Sequence, residues 1–91
     1  MGIERYHLLV SGRVQGVGYR YSTRNFASKL GLVGWVKNRD DGNVEIVAEG
    51  DKISLEELVE WTKHGPRFAK VDAIDVKHQP ASGEFSDFTI Y

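Results

Sequence analysis

Three glycines fall within the seven residues Gly12-Arg13-Val14-Gln15-Gly16-Val17-Gly18, and the apolar period changes across them. Before them, Tyr6, Leu8 and Val10 share one face and His7 and Leu9 the other, so Tyr6 to Ser11 reads as a strand. After them, Tyr19, Thr23, Phe26, Ala27 and Leu30 lie on one helical stripe, which predicts a helix over Tyr19 to Leu30 with Gly31 as its stop. A strand must therefore become a helix through backbone that tolerates positive φ and lets a ligand come close.

The remaining pattern repeats that plan without repeating residues. Leu32 to Asn38 and Asn43 to Glu49 read as strands joined through Asp40-Asp41-Gly42, which is hairpin chemistry. Gly50-Asp51 breaks the alternation, and Ser54-Leu55-Glu56-Glu57 has the form of a capping box opening a second helix. Leu55, Leu58, Val59 and Thr62 form its apolar stripe, and Gly65-Pro66 ends it. Val71 to His78 is a fourth strand, with Ile74 and Val76 on one face. Phe85 to Tyr91 is a fifth, with Phe88 and Ile90 on one side. The order is βαββαβ plus a short C-terminal strand. The expected fold is α+β, a ferredoxin-like α/β sandwich with two helices on one face of a mostly antiparallel five-stranded sheet. Ninety-one residues suffice for one core, so one domain over residues 1–91 is expected.

Composition removes several classes. With 41% hydrophobic residues and a net charge of −1, the chain is not of the disordered kind. It has no Cys, which excludes a disulfide scaffold, a thiolate nucleophile and a Cys-ligated metal. No apolar run approaches the ~20 residues of a membrane span. Met1 to Tyr6 lacks a signal-peptide core. A cytoplasmic protein without membrane partners is expected. Residues 1–39 carry +6 and residues 40–91 carry −7. Such asymmetry marks either an anion-binding half or two halves that interleave and cancel.

The glycine-rich turn offers main-chain N–H groups without strand partners, and the helix start adds more together with a partial positive charge. Arg20, in the first helical turn, would add a guanidinium fork suited to a phosphoryl group. Residue types alone leave two readings open: a phosphate cradle, or a purely structural turn with Arg20 in solvent. The Walker pattern fails, because no Lys-Ser/Thr follows the glycines. The dinucleotide fingerprint also fails, because Tyr21 stands where a glycine is needed. No nucleotide cofactor is indicated. Asn38, ahead of the hairpin, is either a turn amide or a group whose carbonyl orients a water. His7, His64 and His78 lack metal-ligand spacing and read as surface or helix-end residues. Glu56, Glu57 and Glu60 read as a solvated helix face, and Trp35 and Trp61 as packing. Val44 to Ala48 carries no aromatic stacking platform, which argues against RNA.

Gly12-Arg13-Val14-Gln15-Gly16-Val17-Gly18-Tyr19-Arg20 resembles the first signature of the acylphosphatases. Gly34-Trp35-Val36-Lys37-Asn38-Arg39-Asp40-Asp41-Gly42-Asn43-Val44, continuing to Gly50, resembles the second. The resemblance covers the whole chain, including Gly65-Pro66. It implies hydrolysis of acyl phosphates to a carboxylate and inorganic phosphate. It places the catalytic arginine on Arg20, the catalytic asparagine on Asn38 and the phosphate-binding loop on Gln15, Gly16, Val17, Gly18 and Tyr19. No carboxylate cluster suited to a metal accompanies the glycine-rich turn, so neither a metal nor a cofactor is expected, and 91 residues without Cys are compatible with a monomer. Two departures stand out: Tyr19 where Phe is more usual, and Arg67-Phe68 after Gly65-Pro66, which bears on acyl-group preference. A non-catalytic anion-binding module and a nucleic-acid binder are the rival readings. The first could dispense with Asn38, and the second would bind with steep salt dependence.

Overall fold

Tyr6, Leu8 and Val10 are almost completely covered, and the strand that carries them, β1 (Glu4–Arg13), is central in the sheet. The computed structural model describes residues 2–91; Met1, first residue of the expected domain, lies outside them. After β1 come α1 (Tyr19–Lys29), β2 (Val33–Asn38), β3 (Val44–Gly50), α2 (Lys52–Thr62), β4 (Lys70–Pro80) and β5 (Phe88–Ile90). The sheet order is β4-β1-β3-β2-β5. β1 runs antiparallel to β3 and β4, and β2 antiparallel to β3. β5 lies parallel to β2, so the expected ferredoxin-like sandwich has a mixed sheet with one parallel pair.

Both helices cover the same sheet face. Tyr19, Thr23 and Ala27 of α1 and Leu55, Leu58 and Thr62 of α2 are buried, as their spacing requires. They pack on Leu8, Val10, Val36, Ile46 and Ala48. Phe26 and Trp61 stack at 5.4 Å between ring centres and close the seam between the helices. Trp35 lies edge-on to Tyr91, so both tryptophans serve packing.

The second helix starts earlier than expected. Asp51, not Ser54, is its N-cap: the Asp51 carboxylate accepts from the Ser54 N–H and from the Ser54 hydroxyl, each at 2.9 Å. An aspartate in extended backbone three residues ahead of Ser54 satisfies that orphan N–H first, and Ser54 becomes an interior residue of the first turn. β5 is also shorter than the expected Phe85 to Tyr91. The residues before it are drawn toward β3, where the buried Glu49 carboxylate accepts from Arg5 Nε at 2.7 Å, Ser82 N–H at 2.8 Å, Ser82 Oγ at 3.0 Å and Gly83 N–H at 3.0 Å. Arg5 also donates to Glu84 at 2.9 Å and sits over the Phe85 ring. This latch holds the connection from β4 at one sheet edge to β5 at the other.

The charge asymmetry resolves in the same geometry. Strands from the basic half lie between strands from the acidic half, so Arg5 meets Glu49 and Glu84, and Lys37 and Arg39 meet Glu45. The interleaved reading holds for these residues.

Burial by itself raises the Glu49 pKa. The Ser82 N–H, Arg5 and Gly83 N–H bonds outweigh that and hold it at about 2, below its ordinary 4.5. A carboxylate with a depressed folded pKa contributes stability above its unfolded pKa and loses it as pH falls through the folded one. Stability is therefore expected to fall between pH 4.5 and about 2. Glu49→Gln should cost roughly 3 kcal/mol at neutral pH and flatten that acid limb, measured as urea midpoints across pH. Parallel pH profiles for the two proteins would contradict the latch.

Candidate active site

β1 passes a register shift between Ser11 and Gly12 and stays paired with β4 as far as Arg13. At Gly12, with φ 122°, a Cβ would stand 2.2 Å from the Lys70 carbonyl oxygen, so only glycine lets the chain turn there. Val14 and Tyr19 are then buried on either side of the loop. Between them, Gly16 and Gly18 are exposed, with φ of 74° and 79°. Left-handed residues flanking Val17 gather successive N–H groups toward one side. Gly18 is the N-cap of α1 and supplies no side-chain bond, and the first turn holds no acidic residue. Among the described residues, the N–H groups of residues 15–18 find no backbone acceptor. They join the free N–H groups of the first helical turn.

Tyr19 takes no side-chain part in this cradle. Its hydroxyl donates to the Thr62 carbonyl at 2.8 Å, at the end of α2, and burial pushes the phenol pKa up. Tyrosine is accommodated here because that carbonyl gives its hydroxyl a partner. Val17 is half-buried against the core, so it too can offer only its main chain. Arg67 and Phe68 are exposed, and neither lines the cleft described next.

A cleft of about 230 Å³ brings together Gly16, Gly18, Arg20 and Asn38, with Val14 and Ile90 as apolar walls. Arg20 donates from Nη1 to the Tyr91 main-chain oxygen at 2.6 Å, which aims the side chain across the helix start toward β5. A guanidinium has five N–H donors, so most remain available. Asn38 is the last residue of β2, opposite Val44. Its Oδ1 is buried and has no hydrogen-bond partner among the described residues. An unmatched buried acceptor costs about 1–3 kcal/mol, a cost native structures keep at places that bind something. Of the expected loop residues, Gln15 and Val17 do not line the cleft. The Gln15 side-chain amide donates away from the cradle, to the carbonyls of Arg39 at 2.8 Å and Asn43 at 2.9 Å.

Other polar groups lie elsewhere. His7 bonds Glu45 at 2.7 Å on the far sheet face, and His78 stacks on Tyr6. Among the described residues no cluster of His, Cys, Asp or Glu could hold a metal ion. A larger groove of about 730 Å³ runs beside α2 past Ile53 and Trp61, but it contains neither Arg20, Asn38 nor a loop residue. Two features escaped the sequence pattern. The Tyr91 main-chain oxygen that steadies Arg20 carries no side-chain signal, and the fate of the Gln15 amide depends on a hairpin 24 to 28 residues away.

A family model described as acylphosphatase matches residues 6–90. An acylphosphatase of Marinobacter nauticus is 56% identical over 88 residues, covering 97% of this chain and 96% of that protein. One of Methylococcus capsulatus is 50% identical over 88 residues, with the same two coverages. The crystal structure of acylphosphatase from Bacillus subtilis superposes with a TM-score of 0.93 at 46% identity, covering 97% of this chain and 98% of that one.

Orthophosphate titrated into ¹⁵N-labelled protein should shift the N–H signals of Gly16, Val17, Gly18, Tyr19 and Arg20 together, followed by two-dimensional NMR. Signals that stay fixed while others in the sheet move would place the anion elsewhere.

Proposed function

The chain belongs to the acylphosphatase family and hydrolyses acyl phosphates, and we propose that Arg20, Asn38 and the loop 15–19 carry out the reaction. The observation that carries this assignment is that Asn38, whose buried Oδ1 has no partner among the described residues, lines one cleft with Arg20 and the cradle glycines. An acceptor without a donor, beside groups that attract a phosphoryl oxygen, suits a water molecule whose oxygen must point at phosphorus.

The main-chain N–H groups of the loop and the free donors of Arg20 hold the phosphoryl oxygens, where negative charge is spread in the transition state. Asn38 Oδ1 accepts a hydrogen bond from the attacking water. The water oxygen forms the new bond to phosphorus as the bond from phosphorus to the acyl oxygen breaks. A phosphoryl oxygen takes the water's proton, and the products are a carboxylate and inorganic phosphate. The leaving carboxylate has a conjugate-acid pKa near ~4, so it departs without a general acid. Phosphoryl transfer has a loose transition state that asks little of the nucleophile, so the scheme needs no histidine base. It also needs no covalent intermediate and no metal, because Arg20 and the N–H groups meet the charge. Alkyl phosphates, whose alkoxides must be protonated on leaving, should be poor substrates.

A chain of 91 residues without Cys is compatible with a monomer, our proposed working unit. The match over residues 6–90 supports treating residues 1–91 as one such domain. Absence of Cys suits the reducing cytoplasm, our proposed location. Among the described residues no helix is long and apolar enough to cross a membrane.

Arg20→Ala should lower kcat/KM for benzoyl phosphate by roughly 10³-fold or more, with binding and turnover both affected. Near-normal hydrolysis would remove Arg20 from the mechanism. Asn38→Ala should lower kcat with little change in KM, because it orients water more than substrate. Steady-state rates in excess EDTA should match those without it, and a loss of turnover would contradict the metal-free scheme. Orthophosphate should inhibit competitively.

A further inference from the structure

We propose that the side chain of Gln15 is a positioning residue that fixes the distance between the phosphate cradle and Asn38, rather than a ligand of the phosphate. The proposal rests on the assignment of Asn38 as the water-orienting group. Both partners of the Gln15 amide, the Arg39 and Asn43 carbonyls, are acceptors, so its nitrogen must face them and both of its hydrogens are used. Each carbonyl already accepts one main-chain bond within the hairpin turn: Arg39 O from Gly42 N–H at 3.2 Å, and Asn43 O from Arg39 N–H at 2.8 Å. Gln15 therefore fills the second lone pair at both sides of the hairpin mouth.

The position of this clamp matters. Gln15 stands between buried Val14 and Gly16, where the exposed cradle begins. Arg39 follows Asn38 directly, and Asn43 precedes Val44, the cross-strand partner of Asn38. β1 and β2 are not neighbours in the sheet; β3 lies between them. Among the described residues no other hydrogen bond joins residues 15–18 to residues 38–43. Beyond the β1–β3–β2 ladder, the loop that holds phosphorus and the strand end that holds water are thus hydrogen-bonded to each other through one amide. In-line attack is sensitive to that separation, since a misplacement near 1 Å can cost about 10²-fold in rate.

The test is a double-mutant cycle on the full chain with benzoyl phosphate, using wild type, Gln15→Met, Asn38→Ala and the pair. Methionine keeps length and bulk and removes both donors. Gln15→Met should lower kcat by about 10- to 100-fold, with the orthophosphate inhibition constant changed by less than about threefold. In the Asn38→Ala background the same substitution should lower kcat by less than about threefold, because the group it positions is gone. Equal losses in both backgrounds would overturn the proposal. So would weaker orthophosphate binding at unchanged kcat, which would make the side chain a phosphate ligand. If Asn38→Ala alone keeps full kcat, the water-orienting assignment itself fails, and that result is distinct from additivity. One measurement needs no variant. In wild-type protein the Gln15 side-chain amide protons should be protected from exchange and stay fixed at saturating orthophosphate while the loop N–H signals move. Free exchange, or a shift matching the loop, would overturn the clamp.

Discussion

The burial of Val14 and Tyr19 on either side of an exposed stretch of backbone is the constraint on which the site depends. Each side chain contributes roughly 1.5–3 kcal/mol by leaving water, enough to hold the ends of a loop whose interior has no ladder bonds. The interior glycines can then keep left-handed backbone with their N–H groups uncovered, which an unanchored loop would not sustain. A cradle fixed in this way loses little freedom when it takes up an anion, and such preorganisation is what electrostatic stabilisation of a transition state requires. The Tyr19 hydroxyl extends the same anchor to the end of α2, so the cradle is braced by both helices.

A second set of contacts works from the far end of the chain. The Glu49 carboxylate gathers Arg5, Ser82 and Gly83 where the chain passes from β4 to β5. The passage delivers β5 alongside β2, parallel to it, and the Tyr91 N–H then bonds the Val36 carbonyl at 2.9 Å. That places the Tyr91 main-chain oxygen where Arg20 can donate to it. Acid–base pairing on one sheet face thus bears on the direction of a guanidinium at the other end of the fold.

Much of the architecture was legible because periodicity is a local property. Alternation in Tyr6 to Val10 and the stripe from Tyr19 to Ala27 each need only one element and one buried face to be recognised. The start of α2 is ambiguous in the sequence because two capping side chains, Asp51 and Ser54, compete within four residues; the structure decides for Asp51, which accepts from both the N–H and the hydroxyl of Ser54. The length of β5 was overestimated because Phe85 looks like a strand residue by composition, yet its segment is held by Arg5 and Glu49 instead. The positions of Arg20 and Asn38 could be singled out by chemistry and by resemblance. Their sharing one cleft could not be derived from spacing, since they lie 18 positions apart with most of a helix and a strand between them.

From its residues alone the chain settled the order of elements, the strand-to-helix turn with its free N–H groups and the absence of thiol chemistry, because glycine conformation, apolar period and residue type act over a few neighbouring positions. Its two signatures pointed to the family. The tertiary structure decided which groups meet: Asn38 Oδ1 left without a donor, Arg20 steadied by Tyr91, and both Gln15 hydrogens spent on the hairpin mouth. Those outcomes depend on hydrogen bonds and burial between segments far apart in sequence, and only the packed sheet and helices bring such segments within a few ångströms of each other.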